Sequence, residues 1–319
     1  VTTAAERTGR PLAVAFRALQ LGDLLVAVPA LRALRRALPD HRLLLATSGW
    51  LRPVVELIDA VDGLVPVGAL GEPLPFAPGE VDVVANLHGG GPESAAVVDA
   101  LGARLTVRHA LAPGEPGPVW VEELHERVRW VRLTGAFGMP GDPADVAIAR
   151  PVVPSPAAGA VVVHVGAAFP SREWPADRFA AVARALEERG RHVVFSGSAG
   201  ERPRALEVAA RSGLPEDRVL AGATELAAFV ALIADAALVV TADTGAGHLA
   251  SAYGTPSVVL FGPVPPERWG PPPGPHLALT HPEVLLGDAF AARPDPALAA
   301  VTVDEVLAAI DRLPCPPAY

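Results

Sequence analysis

Asp243, Thr244 and His248 stand within six residues of one another, with Gly245 and Gly247 between them. The apolar run Ala236 to Val240 leads in and predicts a buried strand. His248 to Tyr253 reads as a short helix, and Ser257 to Phe261 as the next strand. A strand, a polar turn and a helix N-terminus in that order favour an anion, through free backbone N–H groups and the helix dipole. A phosphorylated ligand is therefore expected at this turn. Thr244 and the N–H groups near Gly247 can donate to phosphate. An ionised Asp243 cannot, so it would bind sugar hydroxyls or brace the turn. For His248 a buried ring bonded to a carbonyl is the common alternative.

Four further places carry chemistry. Gly22-Asp23 falls where the first strand turns into the first helix. There Asp23 is either a helix cap or a carboxylate at the sheet edge, able to deprotonate a hydroxyl. Arg172, in Ser171-Arg172-Glu173-Trp174-Pro175, could hold a diphosphate in bidentate fashion, or pair on the surface with Glu173 or Asp177. Trp174 reads as core. Glu201 closes the turn Ser196-Gly197-Ser198-Ala199-Gly200. It could sit on ribose hydroxyls, or the stretch could be an ordinary turn and cap. His88, before three glycines, either faces the ligand or belongs to a surface loop.

The elements that must position these groups alternate. Leu12 to Phe16, Arg42 to Ala46, Gly63 to Val67 and Val81 to Asn86 read as strands. Helices are expected at Asp23 to Leu38, near Pro53 to Ile58, and at Glu93 to Leu101. After the Pro-rich stretch Arg150 to Pro156, strands are expected at Ala160 to Val165 and His192 to Ser196. Helices follow at Asp177 to Arg189, Arg202 to Arg211 and Leu226 to Ala234. Such alternation implies parallel α/β sheets. The expected organisation is an N-terminal Rossmann-like domain over 1–150 and a second over 151–302, facing across a cleft. The closing helix, Val303 to Leu313 within 303–319, could pack on either domain, the N-terminal one included.

Composition narrows the function. The chain has 319 residues, 50% of them hydrophobic, and a mean hydropathy of +0.33. No apolar run reaches the roughly 18 residues of a membrane span. Val1 to Arg10 is polar and lacks a signal-peptide core, so a cytoplasmic location is expected. The single Cys315 leaves no disulfide framework. A formal net charge of −9 argues against broad nucleic-acid binding. All 26 basic residues are Arg, which fits a high-GC bacterial coding bias. Gly245-x-Gly247-x-x-Ala250 fits a loose dinucleotide fingerprint, but no acid ends the following strand. Ser198 lacks the glycine of a nucleophile elbow. No Cys/His cluster has zinc spacing and no Asp-x-Asp pair is present, so no metal is expected.

Taken together the motifs resemble glycosyltransferase family 9, the ADP-heptose:lipopolysaccharide heptosyltransferases. The matching stretches are Arg17 to Asp23 with Pro29-Ala30-Leu31, and His164-Val165-Gly166-Ala167 through Arg172-Glu173-Trp174-Pro175. Asp243-Thr244-Gly245-x-x-His248-Leu249-Ala250 follows, with Gly254-x-Pro256, Leu260-Phe261-Gly262-Pro263, and the closing Val301 to Val306. The resemblance implies a GT-B fold, with the acceptor on the first domain and the donor on the second. It implies inverting, metal-independent transfer from a nucleotide sugar, an ADP-heptose by analogy, with no cofactor. Asp23 then corresponds to the general base, with Gly22 and His88 on the acceptor side. Arg172 lies at the diphosphate and Glu201 at the ribose, while Asp243, Thr244, Gly245 and His248 form the donor turn. Two departures stand out. His281 to Pro296 lacks the cysteine often found before the last helix, and the loops His88 to Pro92 and Pro113 to Trp120 show no family pattern. The acceptor is thus a lipopolysaccharide core, another envelope glycan or a small natural product, with peripheral membrane contact if it is lipid-linked. A catalytically silent sugar-nucleotide-binding protein and a sugar-nucleotide epimerase are the competing readings.

Overall fold

The computed structural model describes residues 9–68 and 70–314. Cys315 and the stretch Val1 to Thr8 lie outside the described residues. The chain divides into two compact units, Val1–Val146 and Ala147–Tyr319.

In the first unit the elements run β1 (Leu12–Phe16), α1 (Leu21–Ala37), β2 (Arg42–Thr47), α2 (Arg52–Val55) and β3 (Gly63–Pro66). They continue β4 (Val83–Asn86), α3 (Pro92–Asp99), β5 (Leu105–Val107) and α4 (Glu126–Ala136). The five strands form one parallel sheet in the order β3-β2-β1-β4-β5. Phe16 at the end of β1 stands level with Ala46 on one side and Asn86 on the other. Val14, Phe16 and Val84 meet Val97, Val98 and Leu101 in a core on the α3 side. The strands are apolar through their length because helices cover both faces of a parallel sheet.

The second unit repeats the plan with β6 (Val161–His164), α5 (Ala176–Glu188), β7 (Val193–Ser196), α6 (Arg202–Ser212), α7 (Leu226–Ala234) and β8 (Leu238–Ala242). It continues α8 (Gly245–Tyr253), β9 (Ser257–Leu260), α9 (Pro266–Trp269), β10 (His276–Leu279), α10 (Pro296–Ala300) and α11 (Val303–Asp311). Its parallel sheet has the order β10-β9-β8-β6-β7. Trp174 is fully buried, as expected, and its indole N–H donates to Val301 O at 3.0 Å. For the closing helix the sequence left both domains open. Val306, Ala309 and Ile310 of α11 belong to the second unit's core.

In each sheet the strand order reverses direction once, between β1 and β4 and between β6 and β8. Ligands of open α/β sheets bind outside the C-terminal strand ends at such a point. Two boundaries differ from expectation at the motif that matters most. β8 runs on through Ala242, two residues beyond the predicted end, and α8 begins at Gly245 rather than at His248. The reason is Thr244. As N-cap its hydroxyl oxygen accepts the Ala246 N–H at 3.3 Å, so the first turn forms three residues early. At the other end Gly254 takes φ +65°, a left-handed cap conformation that favours glycine.

Candidate functional site

In the second unit the predicted residues converge on the β6–β8 reversal. Asp243 follows β8 and is buried. Arg172, 71 residues earlier on the loop after β6, donates from Nη1 to Asp243 Oδ2 at 3.1 Å. Neither surface alternative for Arg172 is realised, because Glu173 pairs instead with Arg204, 3.4 Å away. Arg172 Nε is buried with no hydrogen-bond partner among the described residues. A buried N–H of that kind costs free energy until a ligand oxygen accepts from it. His248, one turn into α8, sets Nε2 3.8 Å from Asp243 Oδ1, and its ring meets Trp269 edge-on. Asp243 thus ties the Arg172 loop to the start of α8.

The N-terminus of α8 is the anion site expected from the sequence. Thr244 Oγ1 lies 2.9 Å from Thr241 Oγ1 while it caps Ala246. Thr241 Oγ1 also lies 2.8 Å from Ala242 O, to which it donates. The Thr244 hydroxyl is therefore engaged; the Ala246 N–H is bonded to it, and the Gly247 N–H donates to Thr244 O at 3.1 Å. Gly247 is closely packed: a Cβ there would lie 3.3 Å from a Val259 methyl. Its glycine lets α8 lie close on β9.

Glu201 sits across the same edge, after β7. Its Oε2 accepts the Ser198 N–H at 2.6 Å, closing the predicted turn. The carboxylate covers Gly166, on the loop after β6, where any Cβ would overlap it. A glycine at 166 is what allows the carboxylate to lie at the reversal point. His164, at the end of β6, holds Ser196 Oγ at 3.0 Å from Nδ1. Burial keeps its pKa low, so the ring is a neutral strut between β6 and β7.

In the first unit Asp23 and His88 flank the β1–β4 reversal. Asp23 is not the N-cap, which is Gln20. It stands at the third helical position, where Oδ2 accepts the Gln20 N–H at 3.1 Å. Oδ1 faces Arg17 Nη2 at 3.5 Å, and the carboxylate keeps 24% of its side-chain surface open. Cap and exposed carboxylate therefore coexist. Gly22 is the residue before it in the first turn of α1. His88 stacks on Phe16 at 4.9 Å, and its Nδ1 accepts the Ala18 N–H at 3.2 Å. Burial and the neighbouring Arg17 lower its pKa. The neutral ring accordingly carries its proton on Nε2 and is a donor.

Several residues here were given no role from the sequence. Arg17 is buried, donates to Asp23 O and Leu87 O, and lies 4.7 Å above the Trp130 ring. Glu126 stands 4.0 Å from Arg17, 2.8 Å from Arg129, and accepts the Trp130 indole N–H at 3.0 Å. Arg129 in turn stacks 3.8 Å under Trp120, whose ring leaves no space for a Cβ on Gly90. Glu126, Arg129 and Trp130 come from α4, which periodicity did not reveal. Among the described residues no group of three or more His, Cys, Asp or Glu could hold a metal ion.

The model of the family "Glycosyltransferase family 9 (heptosyltransferase)" matches residues 144–278. Lipooligosaccharide heptosyltransferase 2 of Haemophilus influenzae is 39% identical over 112 residues, 33% of this chain and 32% of that protein. The chain thus spans about a third of the length of the curated relatives it matches. The crystal structure of the family 9 glycosyl transferase from Veillonella parvula superposes with a TM-score of 0.76 at 20% identity. It covers 94% of this chain and 96% of that one. The ADP-heptose lps heptosyltransferase II of E. coli gives 0.70 at 20% identity, covering 94% and 97%. Among the described residues no helix is long and apolar enough to cross a membrane. Both units carry the parallel α/β sheets of the GT-B fold, and residues 144–278 are similar to glycosyltransferase family 9.

Proposed function

We propose that the protein is an inverting glycosyltransferase that moves a sugar, a heptose by family analogy, from an ADP-sugar to a hydroxyl. It needs no metal and works in the cytoplasm. The observation that carries the reading is the second unit's anion site: an uncommitted buried Arg172 Nε–H beside the α8 N-terminus, within the matched family segment. The ADP diphosphate would accept from Arg172 and from the Gly245 N–H at the start of α8. Glu201 would accept from ribose hydroxyls. Asp243, held by Arg172, would orient that cation and, with His248, face the sugar.

On the first unit Asp23 takes the acceptor proton as the hydroxyl oxygen attacks the anomeric carbon. The bond to the diphosphate oxygen breaks on the opposite face, so the configuration inverts. The negative charge that grows on the departing ADP is met by Arg172 and the helix dipole, donors that are already oriented. His88 is a neutral donor on the same sheet edge and suits a second oxygen of the acceptor. Calorimetric titration with ADP, UDP, GDP and TDP tests the donor. A preference for ADP is expected. Preference for another diphosphate removes the ADP-sugar assignment, and no binding to any of them removes the glycosyltransferase reading.

A further inference from the structure

The loops that leave the C-terminal ends of β2, β3 and β5 hold large apolar side chains in the open. Trp50 follows β2 and is 50% exposed; Val119, on the long loop after β5, is 59% exposed. Leu70 after β3 and Leu111 after β5 are exposed as well. All strands of this sheet are parallel, so these loops start from one edge, the edge that also carries Asp23 and His88. Among the described residues of the first unit, the remaining exposed large hydrophobic is Val128 on α4. Single exposed apolar residues are ordinary, but four on loops that leave one edge of a sheet are not. The edge is also built rather than loose. Trp120 lies against Gly90, holding the loop after β5 onto the loop after β4, and Arg129 underlies it at 3.8 Å.

The charges on this edge point the same way. Arg17 and Arg129 are buried and bonded to protein groups. Arg108 is bonded to Asp99 at 3.0 Å and to Glu115 at 2.9 Å, and Arg132 to Val119 O at 2.9 Å. Arg52 is exposed, yet Glu72, Glu93, Glu122 and Glu123 are exposed on the segments that follow the same strand ends. Tight recognition of phosphate or carboxylate favours guanidinium groups free to form bidentate pairs. An acidic, apolar edge instead repels an anionic acceptor and takes hydrocarbon or aromatic surface out of water.

We infer that the acceptor is an uncharged compound with an apolar framework that bears the reactive hydroxyl. It is not a phosphorylated oligosaccharide. The apolar frame lies on Trp50, Leu70, Leu111 and Val119, and the hydroxyl reaches Asp23. This rests on the reading of the first unit as the acceptor side.

The test uses the full chain and Nile red, a neutral apolar dye, followed by fluorescence with no donor present. Saturable dye binding is expected. Trp50→Ser combined with Val119→Ser should weaken it about tenfold or more, with ADP affinity unchanged. Both residues are exposed, so the variant should fold; an unchanged melting temperature checks this. Uncharged polycyclic alcohols should displace the dye, and phosphorylated lipopolysaccharide core oligosaccharide should not. Dye binding untouched by the double substitution, or displacement by the phosphorylated oligosaccharide, overturns the inference. Failure of ADP to bind sinks the glycosyltransferase reading separately, because the dye measurement uses no nucleotide.

Discussion

Replacing Asp23 by Asn separates catalysis from capping. The oxygen of the substituted amide can still accept the Gln20 N–H, which lies 3.1 Å from Asp23 Oδ2. Arg17 loses one anionic neighbour but keeps Glu126 at 4.0 Å and its bonds to the backbone oxygens of residue 23 and Leu87. The stability loss should therefore stay near or below ~1 kcal/mol, roughly 2–4 °C in Tm for a unit of this size. Asp23→Ala also removes the cap and should cost about 1 kcal/mol more. Turnover should behave differently. Loss of a general base lowers the rate by about 10²–10⁴, equal to ~3–5 kcal/mol of barrier, and both variants should lose that amount alike. ADP release from the sugar nucleotide at saturating donor gives the rate, and thermal denaturation gives the stability. If Asp23→Asn keeps turnover within about threefold of the parent, or if the two rates follow the two melting temperatures, Asp23 is a cap and nothing more.

Arg172→Ala should weaken ADP binding by roughly 10- to 100-fold, the range of charge-assisted hydrogen bonds. It also takes the guanidinium away from the buried Asp243, so Arg172→Ala with Asp243→Asn should regain stability without regaining affinity; equal ADP affinity in calorimetry would refute the role. Gly166→Ala places a methyl where the Glu201 carboxylate lies and should reproduce the loss of nucleotide affinity seen with Glu201→Gln, an idea that fails if the alanine variant binds like the parent. His109 is buried between Trp120 and Trp130 with neither ring nitrogen bonded among the described residues, and burial pushes its pKa down to about 4. Its folded pKa lies below the unfolded value of ~6.5, so stability should fall as pH drops from about 6.5 to about 4, by up to ~3 kcal/mol. His109→Phe should flatten that slope in acid melts, and an unchanged slope would exclude His109 as its source. Turnover should survive EDTA, whereas loss on chelation with recovery on adding Mg²⁺ or Mn²⁺ would reveal a metal requirement.

The sequence by itself carried the alternation of strands and helices, because a strand covered on both faces must be apolar throughout. Val161 to Val163, Val193 to Phe195 and Leu238 to Val240 are legible for that reason, and so is the Gly-rich turn after β8. It also carried Trp174 as core and the place of Asp23 at the start of α1. It did not carry α4. That helix buries Glu126, Arg127, Arg129 and Trp130, so its inward face looks polar and periodicity fails. β5 and β10 are edge strands with partly exposed residues, so neither is buried throughout. The start of α8 was misplaced because helix onset there depends on one hydroxyl capping one N–H rather than on an apolar stripe. Tertiary structure alone decided the pairings between distant loops: Arg172 with Asp243, Glu201 over Gly166, His88 on Phe16, Trp120 over Gly90. Each joins loops from different strands, which only the strand order of a folded sheet brings to the same edge. Spacing along the chain cannot say which buried charge will meet which partner, and that choice is what turns scattered polar residues into a site.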